Sequence, residues 1–217
     1  MLDLGSISGM ERMRATDPAA PTRAAQIMAS GGVILYPTDT LYGLGADALS
    51  DEALAKIRRI KGRDQQKPIH AVVADMAMTA AYAEVNNAAR SLAQKFFPGP
   101  LTLILKKKGG IETGIARGMS TFGIRIPDNT FCIDLAREFG KPFTTTSANA
   151  SGVAPKRSVD EIIEQLGDNA QMIDLAIDAG ELPERAPSTI VDVSDGHMVI
   201  LREGAIAAQD IDKIPLL

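Results

Sequence analysis

Aromatic residues are scarce in this chain of 217 residues: it has no tryptophan, and phenylalanine and tyrosine together make up 4% of it. A platform of aromatic rings on which single-stranded nucleic acid stacks is therefore poorly supported. Asp and Glu outnumber Lys and Arg, 27 to 23, so the net charge is −4. That balance argues against a surface coated with phosphate-binding cations, although a few basic side chains in a concave site would still dominate the potential there.

Metal-binding and redox residues are also few. Cys132 is the only cysteine, which excludes an internal disulfide, and its apolar surroundings in residues 130–136 predict a buried thiol. The two histidines, His70 and His197, have no cysteine or histidine partner at the spacing of a zinc site, and no Ser-His-Asp triad can be assigned from them. The residue types therefore favour neither a structural zinc site nor a triad hydrolase.

Long hydrophobic runs are absent too. No segment approaches the roughly 20 apolar residues of a membrane span, and residues 1–17 lack the basic, apolar and small-residue sections of a secretory signal. We therefore expect a cytoplasmic protein with no membrane partner. No linker or repeat interrupts the chain, so its length favours one domain over residues 21–208, with a flexible or edge-lying lead-in at 1–20 and a C-terminal tail at 209–217.

Helical and strand patterns alternate along the chain. Short apolar runs predict strands at 33–36, 69–73, 101–106, 122–126, 143–146 and 172–177, and a hairpin of 189–193 with 198–201. Helices are predicted at 23–30, from Ser50 onward, at 76–83, 88–97 and 131–139, and from a Ser158–Glu161 capping box to Gly167. Residues 38–47, rich in threonine and glycine, are predicted to be a loop. This order predicts an α+β fold with α/β layering, in which helices pack on the faces of a mixed sheet.

Four polar segments follow predicted strands or helices, at residues 37–45, 61–67, 144–152 and 187–192. The first holds hydroxyls and a carboxylate, the second a group of cations, and the third a dense set of hydroxyl and amide groups. Pairing of the last two strands would bring Ser188 and Arg202 to one rim. Each segment alone has an ordinary alternative as a solvated turn or a charged surface, and neither a GxxxxGKS/T nor a GxGxxG motif is present. Together the segments predict a small-molecule site for an anionic ligand.

Seven segments, taken together and in order, resemble the YrdC/Sua5 family of threonylcarbamoyl-adenylate synthases over about residues 31–204. They are YPTDTLYGLGA from Tyr36, KGR from Lys61, PGPLT from Pro98, GIRIP from Gly123, TSANASG from Thr146, PSTIVD from Pro187 and ILREG from Ile200. The resemblance implies an open, twisted, mixed β-sheet flanked by helices, YrdC/RibB-like, with a large positive concavity. The chain looks like the short, single-domain form of this family.

The activity implied by the resemblance is that of an L-threonylcarbamoyladenylate synthase, a nucleotidyltransferase that uses ATP, L-threonine and bicarbonate for the t6A37 modification of tRNA. Residues that match the family's ATP site are Lys61, Arg63, Lys67, Thr121, Thr145, Ser147, Asn149 and Arg202. Residues that match its threonine site are Thr40, Arg125 and Ser188. No side chain is expected to form a covalent intermediate or to hold a metal, and Mg²⁺ would accompany ATP on phosphate oxygens and water.

The sequence departs from the family's pattern in two places. Relatives often have a histidine at the position aligned with Val72, whereas here His70 precedes that position by two residues. Relatives also often read Ser-Pro-Thr after the Ser-Ala-Asn segment, where this chain has residues 154–157, Ala-Pro-Lys-Arg. Two other functions therefore stay open: a module that binds double-stranded RNA or tRNA, and a paralogue that adenylates a different carbamoyl substrate. The family's other implied partners are tRNA and proteins of the t6A pathway.

Overall fold

The computed structural model describes residues 9–62 and 68–215. Its strands are β1 Glu11–Arg14, β2 Ile34–Pro37, β3 Tyr42–Gly45, β4 His70–Val72, β5 Leu101–Lys106, β6 Thr121–Arg125, β7 Phe143–Ser147, β8 Leu175–Asp178, β9 Thr189–Asp192 and β10 Val199–Arg202. Its α-helices are α1 Ala20–Ala29, α2 Asp51–Ile60, α3 Met76–Tyr82, α4 Asn87–Phe96, α5 Thr130–Phe139, α6 Val159–Leu166 and α7 Ala208–Asp212. Short 3₁₀ turns cover Gly114–Ala116 and Gly167–Met172.

The strands form one mixed sheet in the order β1-β8-β2-β3-β7-β4-β6-β5-β9-β10. The sheet contains parallel pairs, such as β4 with β6 and β5 with β9, and antiparallel pairs, such as β3 with β7. The predicted α+β fold, a mixed sheet with helices on its faces, is confirmed. Within the described ranges, none of the helices has both the length and the apolar character needed to cross a bilayer.

One face of the sheet is covered only in part, and this is what creates the site. Helices α1 and α5 pack together on it over Tyr36, Val72 and Phe143. The opposite face carries two larger apolar clusters, one beneath α2 and α6 and the other beneath α4. Because side chains alternate between faces along a strand, the residues that share the first face but lie beyond α1 and α5 include His70, Arg125 and Thr145.

Local sequence signals set most of the element boundaries. Ser50 accepts a hydrogen bond from the amide of Ala53 at the start of α2, and Ser158 does the same for the amide of Glu161 at 3.4 Å, as the capping box predicted. Helix α5 ends at Gly140, whose left-handed backbone favours glycine. The late hairpin is confirmed as the antiparallel pair β9 and β10.

The prediction that residues 38–47 form a loop is wrong, because residues 42–45 are strand β3, paired with both β2 and β7. Glycine at position 43 does not provide flexibility here. A β-carbon there would sit 3.1 Å from the ring of Tyr36, closer than most side-chain contacts, so glycine lets the strand pass the ring without displacing it. Two further boundaries shift: α1 begins at Ala20, directly before the Pro21 that was expected to open it, and β8 begins at Leu175 after a 3₁₀ turn. Residues 11–14, within the lead-in, form an edge strand parallel to β8.

Candidate functional site

A cavity of about 460 Å³ opens on the partly covered face. Its volume is in the range of small-molecule sites, which is about 300–1,000 Å³. Its wall consists of Thr38, Thr40, Leu41, Tyr42, Gly43, Lys61, Pro68, His70, Thr102, Arg125, Thr145, Thr146, Ser147, Asn149, Ser151, Gly152, Pro155, Arg185, Pro187, Ser188 and Arg202. Parts of all four polar segments identified in the sequence therefore meet in one hollow.

The turn between β2 and β3 is held by its own side chains. The hydroxyl of Thr38 accepts hydrogen bonds from the amides of Thr40 and Leu41, both at 3.1 Å, and donates to the carbonyl of Leu41 at 2.7 Å. Directly behind the turn, the thiol of Cys132 donates to the carbonyl of Pro37 at 3.2 Å. Burial raises the pKa of Cys132 far above its usual value, so the predicted buried thiol is confirmed and serves packing.

Arg125 lies at this turn and forms a buried ion pair. Its Nη2 donates to Oδ1 of Asp39 at 2.6 Å, and its Nη1 donates to the hydroxyl of Thr40 at 2.9 Å. The side chains of Arg125 and Asp39 are only 6% and 4% exposed. The Nε of Arg125 is buried, and no partner for it is found in the described part of the chain. One donor of this guanidinium therefore remains for a further acceptor.

Ser188 and Arg202 meet at the rim, as pairing of β9 with β10 predicted. The Nη2 of Arg202 donates to the carbonyl of Ser188 at 2.7 Å and to its hydroxyl at 3.2 Å. The same hydroxyl lies 2.9 Å from that of Thr102 on β5. Burial and, to a smaller extent, the positive charge of Arg125 lower the pKa of Arg202 from its usual value. Arg125 and Arg202 both lie on the cavity wall, which therefore carries two guanidinium groups.

Lys61 lies at the other end of the cavity and holds the segment after β7. Its ammonium donates to the carbonyl oxygen of Ser147, and to the carbonyl and Oδ1 of Asn149 at 2.9 and 3.1 Å. The amide of Ser151 donates back to the carbonyl of Lys61 at 2.9 Å. Gly62 then turns the chain with a φ of 57°, a conformation that glycine adopts at little cost.

The structure therefore brings together Thr40, Lys61, Arg125, Thr145, Ser147, Asn149, Ser188 and Arg202 of the predicted site residues. Thr121 is not on the cavity wall; it lies on the same face of β6 as Arg125, four residues away, which is about 13 Å along a strand. Arg63 and Lys67 lie outside the described residues. Whether each of these side chains binds ATP or threonine stays a prediction.

Three cavity features were missed from the sequence. The ion pair of Asp39 with Arg125 joins residues 86 positions apart, and Thr102 faces the cavity only because β5 pairs with β9. Arg185 comes from a segment with no motif.

At the position of the family's histidine, Val72 is fully buried beneath α1 and α5, whereas His70 lines the cavity. Within the described ranges, no group of three His, Cys, Asp or Glu side chains could hold a metal ion.

Comparison with known proteins identifies the family. The family model of Sua5, YciO and YrdC, which carries the description "Telomere recombination", matches residues 26–204. The chain belongs to the Sua5/YciO/YrdC family. One relative, a Methanocaldococcus jannaschii protein provisionally named threonylcarbamoyl-AMP synthase, is 40% identical over 182 residues, which are 84% of each chain. The threonylcarbamoyl-AMP synthase of Pyrococcus abyssi is 33% identical over 88% of this chain, and the match covers 56% of that protein.

Solved structures of the Sua5/YciO/YrdC family share the fold. The P. abyssi Sua5 protein in complex with L-threonine matches with a TM-score of 0.83 and 31% identity, over 94% of this chain and 59% of that one. The E. coli YciO protein matches with a TM-score of 0.81 and 28% identity, over 94% of this chain and all of that one. The open, twisted, mixed sheet expected from the resemblance is therefore confirmed.

Proposed function

We propose that this protein is a threonylcarbamoyl-AMP synthase, which makes threonylcarbamoyl-AMP and pyrophosphate from L-threonine, bicarbonate and ATP. The observation that carries the proposal is the shared cavity: the Lys61 end and the Arg125 end open into one hollow, so an amino acid and a nucleotide can be held side by side. Membership of the Sua5/YciO/YrdC family and the similarity to a threonine complex support the choice of substrates.

The reaction needs little covalent chemistry from the protein. The amine of threonine takes up bicarbonate as a carbamate, with loss of water, and a carbamate oxygen then attacks the α-phosphorus of ATP. The bond from that phosphorus to the bridging oxygen breaks, and pyrophosphate leaves with the electron pair. Because the carbamate is already a nucleophile, the protein has to position the two reactants and to stabilise negative charge that develops on the phosphates.

In this proposal the residues of the cavity wall have two tasks. Thr40, Arg125 and Ser188 hold the amino acid, and the guanidinium of Arg125 binds its carboxylate. Lys61, Thr145, Ser147, Asn149 and Arg202 surround the nucleotide, and Arg63, Lys67 and Thr121 remain predicted members of the same set. Mg²⁺ would reach the site as the ATP complex, held by phosphate oxygens and water.

Pyrophosphate release with ATP, bicarbonate and each of the twenty amino acids in turn tests the proposal. We expect release that depends on both bicarbonate and L-threonine, with a control lacking bicarbonate at background. Release with no amino acid would contradict the proposal. Release with a different amino acid only would favour the paralogue of other specificity, and salt-sensitive RNA binding without any turnover would favour the RNA-binding module. Delivery of the product to tRNA in the cytoplasm, with proteins of the t6A pathway, belongs to the same proposal.

A further inference from the structure

Residues 179–188, here called the crossing loop, connect β8 to β9 and reach the cavity in their second half. Strand β8 is second in the sheet order and β9 is ninth, so the connection between them has to cross the strands that lie in between. On the way its residues Arg185, Pro187 and Ser188 form part of the cavity wall. The crossing loop therefore supplies side chains to a site whose other residues belong to strands and to the segments that adjoin strands and α2.

The crossing loop is held by hydrogen bonds at its start, at Leu182 and near its end, where the carbonyl of Pro187 accepts from the amide of Ala205 at 2.9 Å. At its start, the hydroxyl of Tyr42 accepts from the amide of Ala179 at 2.9 Å and donates to the carbonyl of Gly180 at 2.8 Å. The amide of Leu182 donates to the carbonyl of Arg157 at 2.9 Å. These contacts set the path of the backbone and leave the side chain of Arg185 directed at the β2–β3 turn.

Arg185 donates from Nη1 to the backbone carbonyl of Asp39 at 2.9 Å. Among the described residues, no Asp or Glu forms an ion pair with it. Its neighbour Arg125 differs, because Arg125 is paired with the carboxylate of the same Asp39 at 2.6 Å. A substrate carboxylate that approached Arg125 alone would share one cation with Asp39, and the two carboxylates would repel each other. Arg185 supplies a second cation at the same turn, so the substrate carboxylate and that of Asp39 no longer have to share one guanidinium.

We infer that Arg185 is a further substrate-binding residue, which pairs with the carboxylate of the amino-acid substrate alongside Arg125. The inference rests on the proposed function, because it assumes an amino acid at the Thr40 end of the cavity. The hydrogen bond to the Asp39 carbonyl holds the guanidinium at that end, and the remaining N–H groups of its planar fork suit a carboxylate.

The test compares L-threonine with its methyl ester, which lacks the negative charge. Calorimetric binding of both compounds and initial rates of pyrophosphate release would be measured for the wild type, Arg185→Ala and Arg185→Lys. Arg137→Ala is the matched control, since Arg137 is an exposed arginine on α5 paired with Asp134 at 3.5 Å and is not on the cavity wall. Arg185→Ala should weaken threonine binding about five- to tenfold, the scale of a charge-assisted hydrogen bond in a solvated site. The wild type's preference for threonine over the ester should shrink by the same factor.

Arg185→Lys should keep part of the preference for threonine over the ester, and Arg137→Ala should keep all of it. In each variant the KM for ATP should change less than twofold. An unchanged preference in Arg185→Ala, or a larger change in the KM for ATP than in that for threonine, would overturn the inference while leaving the proposed function intact. A wild type that releases pyrophosphate with no amino acid would overturn both.

Discussion

The two ends of the cavity are built from different interactions. At one end, the ammonium of Lys61 is bonded to the neutral oxygens of Ser147 and Asn149. At the other, Arg125 is paired with the carboxylate of Asp39 in a place where both side chains are almost fully buried. Loss of Lys61 would remove a donor from the oxygens of Ser147 and Asn149, whereas loss of either partner in the ion pair would leave a buried charge without its counterion. The Arg125 end therefore contributes to the stability of the whole fold, and the Lys61 end orders a local segment.

The largest expected effect comes from the buried ion pair. Asp39→Ala leaves the charge of Arg125 buried and unpaired, so we expect the free energy of unfolding to fall by about 3–5 kcal/mol. The measurement is urea denaturation. Asp134→Ala is the control, because its exposed pair with Arg137 should contribute no more than about 0.5 kcal/mol. Equal losses of unfolding free energy in the two variants would mean that the buried pair of Asp39 with Arg125 contributes no more to stability than the exposed pair of Asp134 with Arg137.

Lys61→Met should have a smaller effect on stability and a clear one on the nucleotide. We expect amides near residues 149–153 to exchange faster, because the segment loses its hydrogen-bond donor. The KM for ATP should rise about tenfold, the equivalent of about 1.4 kcal/mol. Lys56→Met is the matched control, since Lys56 lies on α2 and its ammonium also donates to a carbonyl, that of Gly31 at 2.7 Å, while Lys56 is not on the cavity wall. If both variants raised the KM equally, the effect could not be attributed to the contacts with residues 147–149.

Tyr42→Phe should have the smallest effect, a loss of about 1 kcal/mol from the two backbone groups of the crossing loop that lose their partner. The buried phenol of Tyr42 should also make the free energy of unfolding depend on pH. Burial raises the pKa of Tyr42 to about 12, from 10.0. Unfolding at pH 10–12 therefore releases a proton, and the free energy of unfolding decreases as the pH rises through this range.

Denaturation of the wild type and of Tyr42→Phe at pH 8, 10 and 11.5 would measure this difference. The variant should lose less stability than the wild type across the range, because it lacks one buried phenol. Parallel curves would show that the Tyr42 hydroxyl is not desolvated as the structure indicates.

The polar segments were visible in the sequence because hydroxyls, cations and glycines cluster in them over a few residues. Their meeting in one cavity follows from long-range strand pairing, as when β7 joins β3 on one side and β4 on the other. The wrong prediction of a loop at residues 38–47 also arises because strand pairing over a long range is not visible in the local sequence. The glycine at position 43 fits beneath the ring of Tyr36, and a contact between two strands leaves no mark in the local pattern.

Periodicity, capping residues and the ordered motifs of the chain determined its helices, most of its strands, its fold class and its family resemblance, because these depend on neighbours within a few residues. Only the tertiary structure decided that Asp39 neutralises Arg125, that Val72 is buried while His70 faces the cavity, and that Arg185 reaches the β2–β3 turn. Those three outcomes depend on which strands pair and on which part of the sheet α1 and α5 cover. Such contacts join residues far apart in the chain, so no local pattern encodes them.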